Sequence, residues 1–263
     1  MKERNTPDAL TEREIVSYLG EAAKGLEVRV FETLASTNTY AKQNADQTQP
    51  GRMLVAARSQ TGGRGRMGRS FFSPAHSGVY FSIATPVPSL PEALALTSAA
   101  AVAVRRAVAS LTGKTLGIKW VNDLFLDGKK VSGILCESVP LSGGFCVVVG
   151  IGINLRSSGF PPELSGIAGT LEEDTLPRAA LIGEVYKELL PYLDDPRDRS
   201  WLEEYRTGST VLGRHVNWRD GDAWHSGVAR EIDRDGALIA EDEDGRTVRL
   251  CTGEITLRLS ERD

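Results

Sequence analysis

Residues 144–155 read GFCVVVGIGINL, the most apolar strand-length run of the chain. An apolar run of this length, without polar alternation, is a strand covered on both faces, which places the segment at the centre of a sheet. Its end, GIGIN at 150–154, is built of small residues. They either let a ligand approach the backbone or simply close a tight strand end, with Asn154 offering a polar edge.

Working outward, the neighbouring segments read as further strands and helices of one α/β (α+β) unit. Upstream, LTEREIVSYLG at 10–20 opens with Thr11 and Glu14 in capping-box spacing and predicts an amphipathic helix ending near Gly25. LEVRVFE at 26–32, RMLVAAR at 52–58 and GVYFSIATP at 78–86 read as strands, with a helix capped at Ser36, Thr37 or Asn38 between the first two. A long helix is predicted from about Pro91 to Leu111, with Ser89 and Glu92 as its capping box and Gly113 as its stop. LGIKWVNDLFLDGKKVSGILCESV at 116–139 predicts a strand, a turn at Asn122-Asp123 and a hairpin at Asp127-Gly128. After a Gly/Pro/Ser-rich loop from Arg156 to Asp174, helices near 177–193 and 199–207 close this unit at about residue 208. From 209 to 263 the texture changes to five short strands punctuated by Asp-Gly pairs at 220, 235 and 244, the pattern of a small SH3-like β-barrel.

Composition narrows the function classes. The chain has 263 residues, 41% of them hydrophobic and 25% charged, which is ordinary for a globular protein. A net charge of -4 disfavours bulk binding to a phosphate backbone, so a local basic loop calls for a local anionic target. Cys136, Cys146 and Cys251 form no CxxC pair and read as buried reduced thiols. The N-terminal stretch lacks the apolar core of a signal peptide and no window reaches the ~18 apolar residues of a membrane span, so the expected location is cytoplasmic.

The loudest local signal is TGGRGRMGRSFFSP at 61–74. Its glycines expose backbone N–H groups, and Arg64, Arg66 and Arg69 supply forked donors matched to phosphate or carboxylate. No GK[ST] follows and no helix comes next, so neither a Walker A loop nor a dinucleotide fingerprint fits, and a solvated surface loop stays open. A second cluster, IKWVNDLFLDGKKVSGIL at 118–135, brackets Asn122 and Asp123 with Lys119 and Lys130. Asp123 has the oxygen ligand that Mg²⁺ takes, while the lysines could face acyl and phosphate oxygens; for the lysines alone, solvent charges flanking a turn are the simpler reading. Of His76, His215 and His225 only His76 falls near these segments, so no Ser/His/Asp or Cys/His arrangement suggests itself.

Taken together, STN at 36, QTGGRGRMGRSFFSP at 60, KWVND at 119, KVSGILCE at 130, GIGIN at 150 and GEITLRL at 253 resemble, in order and spacing, the biotin protein ligases, the biotin-[acetyl-CoA carboxylase] ligases. The resemblance spans Phe31 to Leu259. It implies a mixed sheet with flanking helices, similar to class II aminoacyl-tRNA synthetases, followed by the small barrel, in domains of 1–208 and 209–263. It further implies ATP and Mg²⁺ as requirements, biotin as substrate, and a biotin carboxyl carrier protein as acceptor.

Carried over by position, Ser36, Thr37, Asn38 and Gln60 bind biotin with Arg64, Gly65, Lys130 and Gly133. Arg66, Arg69, Phe71, Lys119, Asn122 and Asn154 contact the nucleotide or its adenylate, Asp123 holds the metal, and Lys130, Arg64 and Arg66 are the catalytic cations. The sequence departs from the family pattern at Val121, where proline is usual, and at Phe71, where tryptophan is usual. Residues 61–70 are expected to order over the adenylate and exclude water. Larger family members carry a winged helix-turn-helix before STN; only 35 residues precede Ser36 here, so DNA binding is not expected. An exposed strand is compatible with a homodimer. The rival readings are a lipoate or octanoate ligase, disfavoured by GRGR at 63 and KWVND, and a catalytically silent binding module, disfavoured by Arg64, Asp123 and Lys130 together.

Overall fold

The computed structural model describes residues 10–48, 51–89, 91–156, 159–220, 223–251 and 255–257. Its helices are α1 (Glu12–Leu19), α2 (Thr37–Gln43), α3 (Pro91–Thr112), α4 (Arg178–Asp194) and α5 (Leu202–Thr207). The first seven strands are β1 (Leu26–Leu34), β2 (Arg52–Gln60), β3 (Gly78–Val87), β4 (Gly117–Lys119), β5 (Asp123–Leu126), β6 (Lys129–Leu141) and β7 (Gly144–Asn154). They form one sheet in the order β1-β2-β3-β7-β6-β5-β4, so the apolar run at 144–155 is the central strand, as its composition predicts. β1 and β2 are parallel and the other pairs antiparallel, which makes the sheet mixed.

The period of two along β7 decides what lies on each face. Val147, Val149, Ile151 and Ile153 point into the larger core beneath α1, α3 and α4. Cys146 and Val148 point the other way, into a smaller core with Ala41 of α2. Further along that second face come Gly150 and Gly152, where side chains stop and the cavity described below begins.

Local chemistry sets the ends of these elements. Thr11 donates its hydroxyl to the Glu14 carboxylate at 3.3 Å, side chain to side chain where the box expected the Thr11 N–H, and caps α1 by accepting from Glu14 N at 3.2 Å. Ser36 caps α2 in the same way through Thr39 N. The hairpin between β5 and β6 turns on Asp127 and Gly128, both with positive φ, the backbone that a two-residue turn of matching twist requires. Glu92 of the expected α3 capping box lies outside the described side chains.

The C-terminal region holds β8 (His215–Asp220), β9 (Ala223–Ile232), β10 (Leu238–Asp242), β11 (Thr247–Leu250) and β12 (Ile255–Leu257), five strands as counted from the turns. They pair in the open order β11-β10-β9-β8-β12. The expected barrel is therefore not closed among the described residues, because β11 and β12 are short edge strands with one partner each. The turns at Asp235-Gly236 and Asp244-Gly245 are present, each gathered by an aspartate, Asp233 or Asp242, whose carboxylate accepts two backbone N–H groups. The turn at Asp220-Gly221 lies partly outside the described residues. Trp120 Nε1 donates to Gly236 O at 2.9 Å and fastens this sheet to the first one.

The cysteine expectation holds only in part. All three are free, but Cys136 and Cys251 are half-buried and only Cys146 is buried. Cys251 follows an edge strand, where one side has no neighbour to cover it, and Arg249 Nη1 reaches its sulfur at 2.8 Å.

Candidate active site

A cavity of about 550 Å³ opens over the glycine end of β7. Every residue to which the resemblance gives a ligand or metal role lines it: Ser36, Thr37, Asn38, Gln60, Arg64, Gly65, Arg66, Arg69, Phe71, Lys119, Asn122, Asp123, Lys130, Gly133 and Asn154. These come from six separate segments, and the sheet order explains the convergence. β6 and β7 lie side by side with Gly133 opposite Gly152, α2 sits on the same face, and the Gly/Arg loop following β2 crosses above.

The floor is a row of glycines on which neighbouring side chains lie. A Cβ on Gly150 would overlap the carboxamide of Asn38, and one on Gly152 would come within 2.5 Å of the Phe71 ring. The ring also rests against the Cα of Gly133, where an added Cβ would meet it at 3.4 Å, and it packs edge-on to Tyr80 with centroids 6.4 Å apart. The Phe71 backbone is fixed at both ends, its N–H donating to Gly63 O and its carbonyl accepting from Ser73 Oγ, both at 2.9 Å.

One end of the cavity is a closed hydrogen-bond network. Gln60 Oε1 accepts from Thr37 N (2.9 Å) and Thr37 Oγ1 (3.2 Å), and Gln60 Nε2 donates to Ser73 Oγ (2.9 Å). Ser82 Oγ lies within hydrogen-bond distance of Thr37 Oγ1 (2.7 Å) and Asn38 Oδ1 (2.6 Å). Asn38 Nδ2 donates to Leu135 O (3.0 Å) and Glu137 Oε2 (3.1 Å). Glu137 Oε1 in turn meets Lys42 Nζ at 2.5 Å and Arg64 Nη2 at 3.8 Å. Burial by itself would raise the Glu137 carboxyl, but hydrogen bonds from Lys42 and Asn38, with the charges of Lys42 and Arg64, hold it below the usual carboxylate range.

The other end is cationic. Arg64, Arg66, Arg69, Lys119 and Lys130 line the cavity against a single carboxylate, Asp123, so the space is built to hold more than one negative charge. Arg66 Nη1 donates to Asn122 Oδ1 at 2.9 Å, and Asn122 Nδ2 donates to Ile134 O at 2.8 Å, which ties the loop arginine to the turn that precedes β5. Lys130 Nζ pairs with the buried Asp123 Oδ1 at 2.7 Å. Lys130 is thus a cavity residue rather than a solvated turn charge, whereas Lys129 beside it is exposed. Asn154 donates to Gly169 O at 3.0 Å.

The loop itself is a narrow hairpin, with Arg64 bridged to Ser70 and Gly65 N donating to Arg69 O at 2.7 Å. Met67 at its tip has φ 55° and is 68% exposed.

Sequence reading missed part of the wall. Phe160, Leu164, Ile167 and Ala168 come from the loop after β7, which pairs with Lys130 through Lys130 N to Ile167 O and Gly169 N to Lys130 O, both 2.8 Å. Ile255 comes from the C-terminal sheet. Glu137, Lys42 and Ser82, just behind the lining, were also unassigned. The only sequence signal for the loop is its apolar residues within a Gly/Pro-rich stretch. His76 is exposed on a turn and does not line the cavity.

Against known proteins, residues 30–154 match the model of the biotin/lipoate A/B protein ligase family and residues 211–258 that of the biotin protein ligase C-terminal domain. A biotin–[acetyl-CoA-carboxylase] ligase of Paracoccus denitrificans is 34% identical over 75% of this chain and 88% of its own. The chain belongs to the biotin protein ligase family. Another member, the bifunctional ligase/repressor BirA of Bacillus subtilis, is 33% identical over 91% of this chain and 77% of its own. Among solved biotin protein ligases, that of Aquifex aeolicus in complex with biotin and ATP superposes with a TM-score of 0.72 at 27% identity, covering 88% of this chain and 98% of that one. No described helix is long and apolar enough to cross a membrane.

Proposed function

We propose that this chain joins biotin to ATP and passes the biotinyl group to a lysine of a biotin carboxyl carrier protein. The observation that carries the reading is the cavity itself, lined by five cations and one carboxylate over glycines that leave room for the Asn38 and Phe71 side chains. In the first step a biotin carboxylate oxygen attacks the α-phosphorus of ATP, forming biotinyl-5′-AMP and releasing pyrophosphate. Both reactants are anions, so their repulsion is part of the barrier, and fixed cations lower it. In this reading Lys130 lies at the acyl-phosphate junction, Arg64 and Arg66 flank it, and Arg69, Lys119, Asn122 and Asn154 hold the nucleotide. Ser36, Thr37, Gln60 and the backbone of Gly65 and Gly133 hold the bicyclic end of biotin, with Phe71 between the two ends. In the second step the carrier amine attacks the acyl carbon, the C–O bond to phosphate breaks, and AMP leaves while the amine loses a proton. Residues 61–70 close over the adenylate between the steps and keep water from its anhydride.

Mg²⁺ fits the residues present. The lining offers one carboxylate, Asp123, whose buried Oδ1 lies 2.7 Å from Lys130 Nζ, and among the described residues no group of three or more His, Cys, Asp or Glu collects. One carboxylate with substrate phosphates completing the shell is the usual Mg²⁺ arrangement. When bound there, the ion neutralises phosphate charge. The reading divides the chain into a cavity-bearing unit, 1–208, and a C-terminal unit, 209–263, that lends Ile255 to the wall and steadies the KWVND turn through Trp120.

The test is ATP–pyrophosphate exchange with biotin, octanoate or lipoate as the acid, followed by transfer to a carrier domain. Exchange driven by biotin and biotinylation of the carrier support the proposal. Exchange driven only by the other acids moves the chain to lipoate-type chemistry, and no exchange with any acid overturns the enzymatic reading.

A further inference from the structure

The carboxylate of Glu137 does not line the cavity, yet it is the point where three elements that do line it meet. Asn38 belongs to the first turn of α2 and Lys42 to its last, so two contacts from one carboxylate span nearly the whole helix. Arg64 is the first arginine of the overlying loop, and Glu137 itself sits on β6, four residues beyond Gly133. Its charge is held by the hydrogen bonds and cations around it, and the three donors come from sequence positions about a hundred residues and 73 residues away.

We infer that Glu137 is a positioning residue for the acid-binding end of the cavity, acting through Asn38 and Arg64. Three consequences of the geometry lead there. Asn38 is spent on both sides, since Oδ1 lies against Ser82 and Nδ2 donates to Leu135 O and Glu137; its carboxamide is a strut across Gly150 rather than a free ligand. Ser82 Oγ sits between Asn38 Oδ1 and Thr37 Oγ1 with one proton to give to either, so it packs Thr37, which donates to Gln60, against the Asn38 strut. Arg64, with 49% of its side chain exposed, has the Glu137 carboxylate 3.8 Å away, a charge that favours its orientation toward β6. The lysine partner adds charge balance from outside the cavity and contacts none of these groups apart from Glu137.

The inference rests on the reading of this end as the biotin site, so its test has one arm that needs no substrate. Glu137→Gln and Lys42→Met both break the same ion pair and are compared with the parent chain. In hydrogen–deuterium exchange, Glu137→Gln is expected to lose protection in residues 37–41 and 63–65, while Lys42→Met keeps it there. In direct binding, Glu137→Gln is expected to weaken biotin roughly tenfold, the scale of one hydrogen bond to a charged group, with Lys42→Met within about twofold. ATP binding is expected to change in neither. Equal losses in the two variants would reduce Glu137 to a structural ion pair, and unchanged protection in Glu137→Gln would overturn the inference outright. If the parent binds no biotin, the functional reading falls, while the exchange arm still decides whether Glu137 positions α2 and the loop.

Discussion

The two ends of the cavity are built by opposite means. At the Ser36–Gln60 end every polar side chain is engaged by a neighbour, and the surface left for a ligand is backbone and oriented hydroxyl and amide groups. At the Lys130 end the lining carries more cationic side chains than carboxylates, five to the one of Asp123, although Arg64 also meets Glu137 and Lys130 meets Asp123. Under the proposed function the first end selects the acid by shape and the second is completed by its anionic substrates. A saturated network holds geometry, whereas unbalanced charge supplies driving force, and an enzyme that must both choose an acid and activate it needs one of each.

Substitutions can break this contrast in descending order of effect. At the charged end, Lys130→Ala is expected to lower biotin-dependent ATP–pyrophosphate exchange by about 10²- to 10³-fold, the usual consequence of removing one preorganised transition-state partner. Biotin binding measured without ATP should fall much less, because the ring end is intact. At the saturated end, Gly150→Val drives a side chain into Asn38, and the overpacking, about 1–3 kcal/mol, should appear as a ten- to hundredfold weaker biotin affinity by calorimetry with ATP affinity kept. Equal losses for both ligands would show that the ends are not separable.

The pH dependence sharpens the same contrast. Glu137 and Asp233 both have folded-state acidities held below their ordinary values of 4.5 and 3.8, in each case against an opposing burial effect. Their ionised forms therefore add stability that is present above those values and drains away as the pH falls through the lower folded-state values. Glu137→Gln should flatten the acid limb of a thermal-melt profile below about pH 4.5 and leave the limb due to Asp233, which Arg249 and two backbone N–H groups sustain in the second sheet. Burial pushes the Cys136 thiol up to about 12, so it should stay protonated and unreactive toward alkylating reagents at pH 8. At the link between the two sheets, Trp120→Phe leaves the buried Gly236 O without its donor and should cost about 1–3 kcal/mol in denaturant unfolding, with biotin-dependent exchange little changed.

How much of this was legible in the sequence follows from what each signal depends on. The strand at 144–155 and the Thr11 and Ser36 caps are local facts, set by neighbouring residues, and they stand as read. The cavity lining followed from the resemblance to the biotin protein ligases, carried over motif by motif, since each motif alone left a bland reading open; the sheet order brought all of them together. Barrel closure is not local: it depends on whether β11 and β12 find each other, and short strands do not announce their partners. The wall supplied by Ile167 and Ile255 was illegible for the same reason, since an isoleucine in a loop or on an edge strand looks alike whether it faces solvent or a site. Glu137 was in plain view as the last letter of a motif, but its role needs the three partners that only the fold brings to it.

The glycine floor at Gly133, Gly150 and Gly152 has a bearing on inhibition. That floor is already covered by the protein's own side chains, Asn38 over Gly150, Phe71 over Gly152, and Lys130 with Phe71 over Gly133. A methyl group added on Gly150 or Gly152 therefore collides with Asn38 or Phe71 before it reaches any ligand. Resistance arising at the floor would therefore damage the enzyme's own pocket first, which leaves the exposed loop tip at Met67 and the apolar wall at Ile167 as the places where escape could begin.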